Sequence, residues 1–286
     1  MPETFSRRLE TAFAKHGQLC VGIDPHAELL EDNGFSDSVE GLLNFSLNML
    51  EQLEGVVGII KPQISFYERF GSQGFAVLER ILTEANQRGF LVIADAKRGD
   101  IGSTMRAYGQ AWLDKDAPFI CDALTVNPYL GVGALKPAVV MAAERGKGLF
   151  VLAATSNPEA IRVQSSISED QTLTKLIAEE VSALNISVAP SKSRFGTLGL
   201  VIGATVDLAQ LGISDYRSAK PEPVSAILAP GFGYQGAQLK DAKSLFGANA
   251  DNVIYSISRS ALRSTMAGVR STVSSDAQEL AQALAD

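Results

Sequence analysis

Eight short apolar runs recur along the chain, and longer segments with a helical spacing of apolar residues separate them. The runs begin near residues 19, 56, 90, 121, 148, 199, 225 and 252, and most of the starts lie about 30 residues apart. Unbroken apolar runs of this length are typical of parallel strands that are buried on both faces. Eight such strands alternating with helices predict an α/β protein folded as a single (β/α)8 TIM barrel.

Helices are predicted between the strands and at both ends of the chain. Phe5, Leu9 and Phe13 recur at four-residue spacing, which predicts an extra N-terminal helix that covers the bottom of the core. The interval after the fifth strand is long, and its Gln- and Ser-rich start at 164–168 predicts a surface loop. The other helical patterns cover residues 42–53, 66–88, 105–112, 135–144, 173–184 and 273–286.

The domain organisation is expected to be simple. The chain shows no internal repeat, low-complexity tract or linker, so residues 1–286 are expected to form one domain. The alternative fold is a doubly wound open sheet. Such a sheet would more naturally carry a Gly-x-Gly-x-x-Gly turn after its first strand, and the sequence Gly22-Ile-Asp-Pro is not one.

The composition narrows the classes of function. The chain is 46% hydrophobic with a formal net charge of -7, which argues against binding to nucleic acid or to a membrane surface. Cys20 and Cys121 lie inside apolar runs and are expected to be buried thiols in a reducing compartment. No apolar stretch reaches the roughly 18 residues of a membrane span, and the first residues lack the apolar core of a signal peptide. We therefore expect a cytoplasmic protein.

Charged residues follow the third apolar run directly: Asp95, Lys97 and Asp100. Side chains two residues apart share one face of a strand, so Asp95 and Lys97 are expected to point the same way. Ligands bind at the carboxyl ends of strands in α/β folds. This position favours a binding site over the alternative, which is a surface ion pair with Asp100 as a helix cap.

Polar residues also follow the other predicted strands. The carboxyl ends of all eight strands of a barrel meet at one face, so these residues are expected to surround one site. They include charges of both signs, but no histidine beside Ser156, no His/Cys/Asp cluster with zinc spacing and no Gly-Lys-Ser/Thr loop. We therefore expect neither a metal nor an organic cofactor. The set is Asp24, Lys61, Asp95, Lys97, Asn127, Ser156, Gln235 and Arg259.

The last two strand ends predict a phosphate site. Loops after the seventh and eighth strands of a barrel often bind phosphate through backbone N–H groups and a helix N-terminus. Here the first of these loops contains Gly231 and Gly233, and the second contains Arg259, which could hold an anion with two hydrogen bonds. A pair of turn glycines and a surface arginine is the alternative interpretation.

The stretch Asp95-Ala-Lys97-Arg-Gly-Asp100-Ile-Gly-Ser-Thr104 resembles the Asp-x-Lys-x-x-Asp-Ile-Gly-x-Thr signature of the orotidine 5'-phosphate decarboxylases. The resemblance spans essentially the whole chain, and the Asp-Ala-Lys-Arg-Gly-Asp form is similar to the longer-chain, type 2 branch of that family. It implies a homodimeric (β/α)8 barrel that converts orotidine 5'-phosphate to UMP and CO2 in pyrimidine biosynthesis, without a cofactor. The other positions with equivalents in the family are Asp24, Lys61, Thr155, Ser156, Pro230, Gly231 and Arg259.

The resemblance also implies a role for each matching residue. Lys97 would protonate C6 of the pyrimidine, Asp95 would face the departing carboxylate, and Lys61 and Asp100 would complete an alternating Lys-Asp-Lys-Asp network. The family donates the equivalents of Asp100, Ile101 and Thr104 to the partner subunit's site, which implies shared active sites. The implied substrate contacts are Asp24 and Lys61 with the ribose, Ser156 with the pyrimidine, Arg259 with the phosphate, and Gln235 from the loop after the seventh strand.

Two other functions stay open on the sequence. Related barrels with the same Asp-x-Lys-x-x-Asp core, the sugar-phosphate decarboxylases and hexulose-phosphate synthases, hold Mg2+ with an acid at the end of the second strand, where this chain has Lys61. A barrel that only binds a phosphorylated nucleotide would have no need of a lysine between two acids. Either the loop after the seventh strand or the longer segment near 157–168 could close over the site.

Overall fold

Ten β-strands are found in the computed structural model, which describes residues 3–188, 193–217, 222–263 and 265–286. They are β1 (Leu19–Ile23), β2 (Ile59–Pro62), β3 (Leu91–Arg98), β4 (Ala123–Val126), β5 (Gly148–Ala154), β6 (Ile167–Ser168), β7 (Gln171–Thr172), β8 (Leu198–Ile202), β9 (Ile227–Pro230) and β10 (Val253–Ile257). All but β6 and β7 pair in parallel and close a barrel in the order β1-β10-β9-β8-β5-β4-β3-β2. The predicted TIM barrel is confirmed, and the open-sheet alternative is wrong.

Helices surround the barrel, as the alternation of apolar runs and helical patterns predicts. Several of them begin with a side-chain cap, such as the Ser38 hydroxyl that accepts a hydrogen bond from the Gly41 N–H at the start of α3. The described α-helices are α1 (Phe5–His16), α2 (Ala27–Asp32), α3 (Val39–Leu53), α4 (Ser65–Glu68), α5 (Gly71–Gln87), α6 (Gly102–Trp112), α7 (Lys136–Arg145), α8 (Ala160–Gln164), α9 (Leu173–Val188), α10 (Ala242–Phe246) and α11 (Val269–Ala285).

The N-terminal helix α1 closes the bottom of the barrel. Phe5 and Leu9 are buried and join the cluster of strand residues that includes Ile93 and Phe150. The rings of Phe5 and Phe150 meet edge to face, with their centroids 6.0 Å apart. Burial of one such side chain contributes about 1.5–3 kcal/mol to folding. The prediction of an extra helix that covers the bottom of the core is therefore confirmed.

Some elements differ from the predicted pattern at glycines. The second strand begins at Ile59 rather than at the start of its apolar run, because Gly55 has φ 76° and forms a turn. The single helix predicted over 66–88 is divided into α4 and α5, and Gly71 at their junction has φ 61°. Positive φ values are unfavourable for residues other than glycine, so a glycine occupies each of the two breaks. The predicted surface loop at 164–168 instead contains the end of α8 and the start of the β6–β7 hairpin.

Both cysteines are free and lie in the protein interior, as their apolar surroundings predict. Burial raises the pKa of the Cys20 thiol and of the Cys121 thiol to about 12, so both stay protonated near neutral pH. In the part of the chain that the structure describes, no helix combines the length and the apolar character needed to cross a bilayer.

Candidate active site

A cavity of about 280 Å3 opens at the carboxyl ends of the barrel strands. The structure brings most of the sequence-predicted site residues to its wall. These are Asp24, Lys61, Asp95, Lys97, Ser156, Gln235 and Arg259. The four remaining predicted residues, Asp100, Ile101, Thr104 and Asn127, lie outside this lining.

The Asp95 carboxylate is the centre of the charged cluster, and four donors surround it. Oδ1 accepts hydrogen bonds from Lys97 Nζ at 2.7 Å and from Thr125 Oγ1 at 2.9 Å. Oδ2 accepts from Lys61 Nζ at 3.0 Å and from Gln63 Nε2 at 3.2 Å. Each carboxylate oxygen can accept about two hydrogen bonds, so Asp95 is saturated and held in one orientation.

Burial and charge act in opposite directions on this cluster. Burial alone would raise the pKa of Asp95, but the ammonium groups of Lys61 and Lys97 outweigh it and hold that pKa below its usual range. Burial also opposes the charge on Lys61, yet Asp95 and Asp24 raise the pKa of Lys61 above its usual value. Both Asp95 and Lys61 are therefore charged near neutral pH. A buried ion pair gives little net stability, so a functional role explains this arrangement better.

The two lysines differ in their access to the cavity. The side chain of Lys61 is 8% exposed and that of Lys97 is 44% exposed, whereas the Asp95 side chain between them is 10% exposed. Lys97 is thus the more accessible of the two cations to a bound molecule, whereas Lys61 also lines the cavity but is largely buried against Asp95.

A bulge in β3 places the Lys97 side chain at the cavity. Ala94 pairs with Leu124 and Arg98 pairs with Val126, so three residues of β3 face Thr125 alone on β4. Lys97 has φ 50° within this bulge, and its N–H donates to Thr125 Oγ1 at 2.9 Å. Bulges of this kind commonly redirect a side chain at the end of a strand.

The first and last barrel strands provide a further polar group. Asp24 Oδ2 accepts a hydrogen bond from the Ser258 hydroxyl. The other oxygen, Asp24 Oδ1, is buried and has no hydrogen-bond partner among the described residues. Buried polar atoms are nearly always paired, so this oxygen is available to a ligand.

Loops after β5, β9 and β10 form another part of the wall. The Ser156 hydroxyl donates to Gln235 Oε1 at 3.2 Å, which links the loops after β5 and β9. The Arg259 guanidinium lies over the Tyr234 ring, 3.6 Å from its centroid, and this contact orients the arginine. Gly231 has φ 119°, a conformation that allows the tight turn at the end of β9.

The residues outside the cavity lie at the start of α6 and after β4. Asp100 Oδ1 accepts a hydrogen bond from the N–H of Ile101 at 2.7 Å, and the Ile101 side chain is 61% exposed. Thr104 is also exposed. Asn127 Oδ1 accepts a hydrogen bond from the Tyr129 N–H at 3.0 Å, so the side chain of this predicted site residue is engaged in the turn that follows it.

Close packing holds this segment in place. A Cβ atom at Gly99 would lie 2.4 Å from the carbonyl oxygen of Asn127, so only glycine permits the approach of the two loops. Arg98 forms an ion pair with Glu68 and lies over the ring of Tyr108, 5.7 Å from its centroid. These contacts of Arg98 and Gly99 fix the path of the chain from Lys97 into α6.

Sequence reasoning missed four residues of the site. Gln63 and Thr125 both bond Asp95, Ser258 bonds Asp24, and Tyr234 supports Arg259. Gln63, Ser258 and Tyr234 end or follow a predicted strand within two residues of a selected residue. Thr125 lies inside the fourth predicted strand, two residues before Asn127 and therefore on the same face. Closeness to a selected residue is the signal that could have found all four. Among the described residues, no three His, Cys, Asp or Glu side chains form a group that could hold a metal ion.

Comparisons with known proteins agree with this geometry. The model of the orotidine 5'-phosphate decarboxylase / HUMPS family matches residues 17–265. A Streptomyces coelicolor protein named orotidine 5'-phosphate decarboxylase is 48% identical over 262 residues, which cover 91% of this chain and 90% of that protein. A crystal structure of a Streptomyces avermitilis protein that is assigned as an orotidine 5'-phosphate decarboxylase superposes with a TM-score of 0.89 and 45% sequence identity. The match covers 100% of this chain and 97% of that chain. A Leishmania donovani OMP decarboxylase structure has a TM-score of 0.78 and 27% identity, and covers 99% of each chain. This chain therefore belongs to the orotidine 5'-phosphate decarboxylase / HUMPS family.

Proposed function

We propose that this protein is an orotidine 5'-phosphate decarboxylase, which converts orotidine 5'-phosphate to UMP and CO2. The observation that carries the proposal is the Asp95 carboxylate, which is fixed between the ammonium groups of Lys61 and Lys97 at the wall of the cavity. Relatives of that name with 43–48% identity support the same activity. The free, buried cysteines are suited to the cytoplasm, where pyrimidine nucleotides are made.

The reaction leaves an electron pair on a ring carbon. When the bond between C6 and the carboxylate carbon breaks, CO2 departs and the bonding electrons stay on C6. Lys97 supplies the positive charge that stabilises this carbanion and then the proton that forms the C6–H bond, and becomes a neutral amine. Lys97 is suited to this role because its side chain is exposed at the cavity, whereas Lys61 is less suited because its side chain is buried.

Repulsion between Asp95 and the substrate carboxylate is not sufficient by itself. Two carboxylates about 4 Å apart repel each other by roughly 4 kcal/mol at an effective dielectric constant near 20. Enzymes lower reaction barriers by about 8–23 kcal/mol. Binding of the remote phosphate therefore has to contribute, because it holds the substrate in the reactive geometry.

The other cavity residues fit the remaining parts of the substrate. The unpaired Asp24 Oδ1 can accept a hydrogen bond from a ribose hydroxyl group, close to Lys61. Ser156 and Gln235 offer hydroxyl and amide groups to the pyrimidine from two adjacent loops. The planar guanidinium group of Arg259 can donate two hydrogen bonds to the phosphate, and its stacking on Tyr234 holds it in position for this contact.

Replacement of Arg259 by alanine tests the phosphate site. Hydrogen bonds to a charged group contribute about 1.5–3 kcal/mol, so kcat/KM is expected to fall by roughly 10- to 150-fold. Most of the change should appear as a higher KM, with a smaller loss of kcat if phosphate binding also organises the site. Steady-state decay of substrate absorbance measures both constants. Arg80→Ala, at an exposed position of α5, is the matched control, and an unchanged kcat/KM in Arg259→Ala would remove Arg259 from the phosphate site.

The active sites are proposed to be shared between the two subunits of a homodimer. Asp100, Ile101 and Thr104 lie outside the lining of their own cavity, between the end of β3 and the first turn of α6, where a neighbouring subunit can use them. The segment that precedes Ile101 packs at Gly99 against Asn127, and the chain after Asn127 carries Tyr129 and Leu130, which are 82% and 55% exposed. Exposed apolar patches of this kind mark protein–protein interfaces.

The Mg2+-dependent sugar-phosphate enzymes are the second candidate, because the matched family includes them. Their metal-binding acid would stand where this chain has Lys61, whose ammonium group already pairs with Asp95. We expect decarboxylation of orotidine 5'-phosphate to be unaffected by excess EDTA. Complete inactivation that Mg2+ reverses would assign the protein to the sugar-phosphate enzymes. No turnover under any of these conditions would reject the decarboxylase activity.

A further inference from the structure

We infer that Thr125 is a positioning residue, which holds Lys97 and Asp95 in the arrangement that protonation of C6 requires. The inference rests on the proposed decarboxylase function and extends it to a residue on the neighbouring strand β4. Thr125 is 1% exposed, and its hydroxyl group bonds two parts of the charged cluster. Thr125 also lines the cavity, but its hydroxyl group is engaged by Lys97 and Asp95, so we assign its effect on the substrate to the position of Lys97.

The directions of the hydrogen bonds around Thr125 are determined by chemistry. The backbone N–H of Lys97 can only donate, so Thr125 Oγ1 accepts from it at 2.9 Å. The hydroxyl proton is then free for Asp95 Oδ1, which lies 2.9 Å away. Lys97 Nζ donates to the same oxygen at 2.7 Å. These three bonds close a ring that joins the backbone and the side chain of Lys97 through Thr125 and Asp95.

The ring stands where regular strand pairing is interrupted. Between the pairs Ala94–Leu124 and Arg98–Val126, Thr125 is the only β4 residue opposite three residues of β3. The Thr125 hydroxyl takes the place of a backbone acceptor for the Lys97 N–H. Lys97 also has φ 50°, a value that a side-chain-bearing residue adopts only when its surroundings hold it there. Loss of the hydroxyl should allow both the backbone and the ammonium group of Lys97 to move.

The test compares variants that differ in the hydroxyl group. Thr125→Val and Thr125→Ala lack it, Thr125→Ser keeps it, and Thr197→Val changes a buried threonine just before β8, at the opposite end of the barrel. A displacement of about 1 Å at a reacting group costs about 100-fold in rate. We expect kcat to fall by about 10- to 100-fold in Thr125→Val and Thr125→Ala, with KM within about threefold of the wild-type value. Thr125→Ser should recover most of kcat, and Thr197→Val should retain all of it.

Two kinetic results would overturn the inference. One is a wild-type kcat in the variants that lack the hydroxyl, and the other is an equal loss of kcat in Thr125→Ser, which would indicate a packing role. A crystal structure of Thr125→Val or Thr125→Ala gives a readout that does not depend on activity. Lys97 is expected to leave its positive φ value or to break its contact with Asp95, and an unchanged Lys97 would reject the positioning role. If the wild-type protein fails to convert orotidine 5'-phosphate, the proposed function fails. The crystal structure of the Thr125 variant then still shows whether Thr125 holds Lys97 in place.

Discussion

Replacement of Lys97 by alanine is expected to lower kcat by at least about 10,000-fold and to leave the protein folded. The variant loses the proposed acid for protonation of C6, and general acid catalysis contributes about 100- to 10,000-fold. It also loses the positive charge beside the carbanion, and removal of one such electrostatic contact costs about 100- to 1,000-fold. Single-turnover measurement of UMP formation, with enzyme in excess over orotidine 5'-phosphate, reports the chemical step directly.

The Lys97→Ala variant should fold because the cluster keeps most of its contacts. Asp95 retains its hydrogen bonds from Lys61, Gln63 and Thr125. The Lys97 side chain is 44% exposed at the cavity, so its removal leaves no void in the core. A change in Tm of less than about 5 °C is expected, which corresponds to a loss of no more than about 1–2 kcal/mol for a chain of this size.

Two further variants separate charge from proton transfer. Lys97→Arg keeps the positive charge, but a guanidinium group does not release its proton near neutral pH, so its kcat should also stay below about 1% of the wild-type value. Lys175→Ala removes a lysine of α9 with nearly the same exposure, 42%, and should leave kcat unchanged. If Lys97→Ala retained more than about 10% of wild-type kcat, Lys97 could not be the general acid.

The barrel could be predicted from the sequence because its strands are buried on both faces. Each strand then appears as an unbroken apolar run, with no solvent-facing positions to obscure it. The division of the helix over 66–88 could not be predicted in the same way, because a glycine such as Gly71 is tolerated inside helices and its φ depends on how α4 and α5 pack. The β6–β7 hairpin is formed by two residues from each strand, which is too short for a periodic pattern.

The charged centre of the site was visible in the sequence, but its geometry was not. Alternation along a strand predicts that Asp95 and Lys97 point the same way, and both do line the cavity. They reach it through a bulge and a positive φ at Lys97, which depend on the pairing of β3 with β4. The contribution of Thr125 depends on the same register. Asn127 shows the opposite case, since its side chain caps a turn that its position at a strand end does not reveal.

The second large effect is expected from mixing inactive variants of the proposed homodimer. The chain leaves β3 after Arg98 and passes Gly99, and Asp100 then lies outside the lining of the cavity of its own barrel. As a hypothesis, each site combines Lys97 of one subunit with Asp100 of the other, so Lys97→Ala and Asp100→Ala homodimers should both be nearly inactive. Random exchange of equal amounts makes half of the dimers mixed, and each mixed dimer has one intact site of two. Activity should therefore recover to about a quarter of the wild-type value.

A second mixture provides the matched control for this recovery. Lys97 and Asp95 are in contact within one chain, with Nζ and Oδ1 2.7 Å apart, so Lys97→Ala and Asp95→Asn affect the same site. Every site in a mixed dimer of these two variants keeps one lesion, and mixing should restore nothing. Native mass spectrometry shows independently that subunits have exchanged. If Lys97→Ala and Asp100→Ala exchange subunits and still recover no activity, Asp100 serves its own barrel and the shared-site model is wrong.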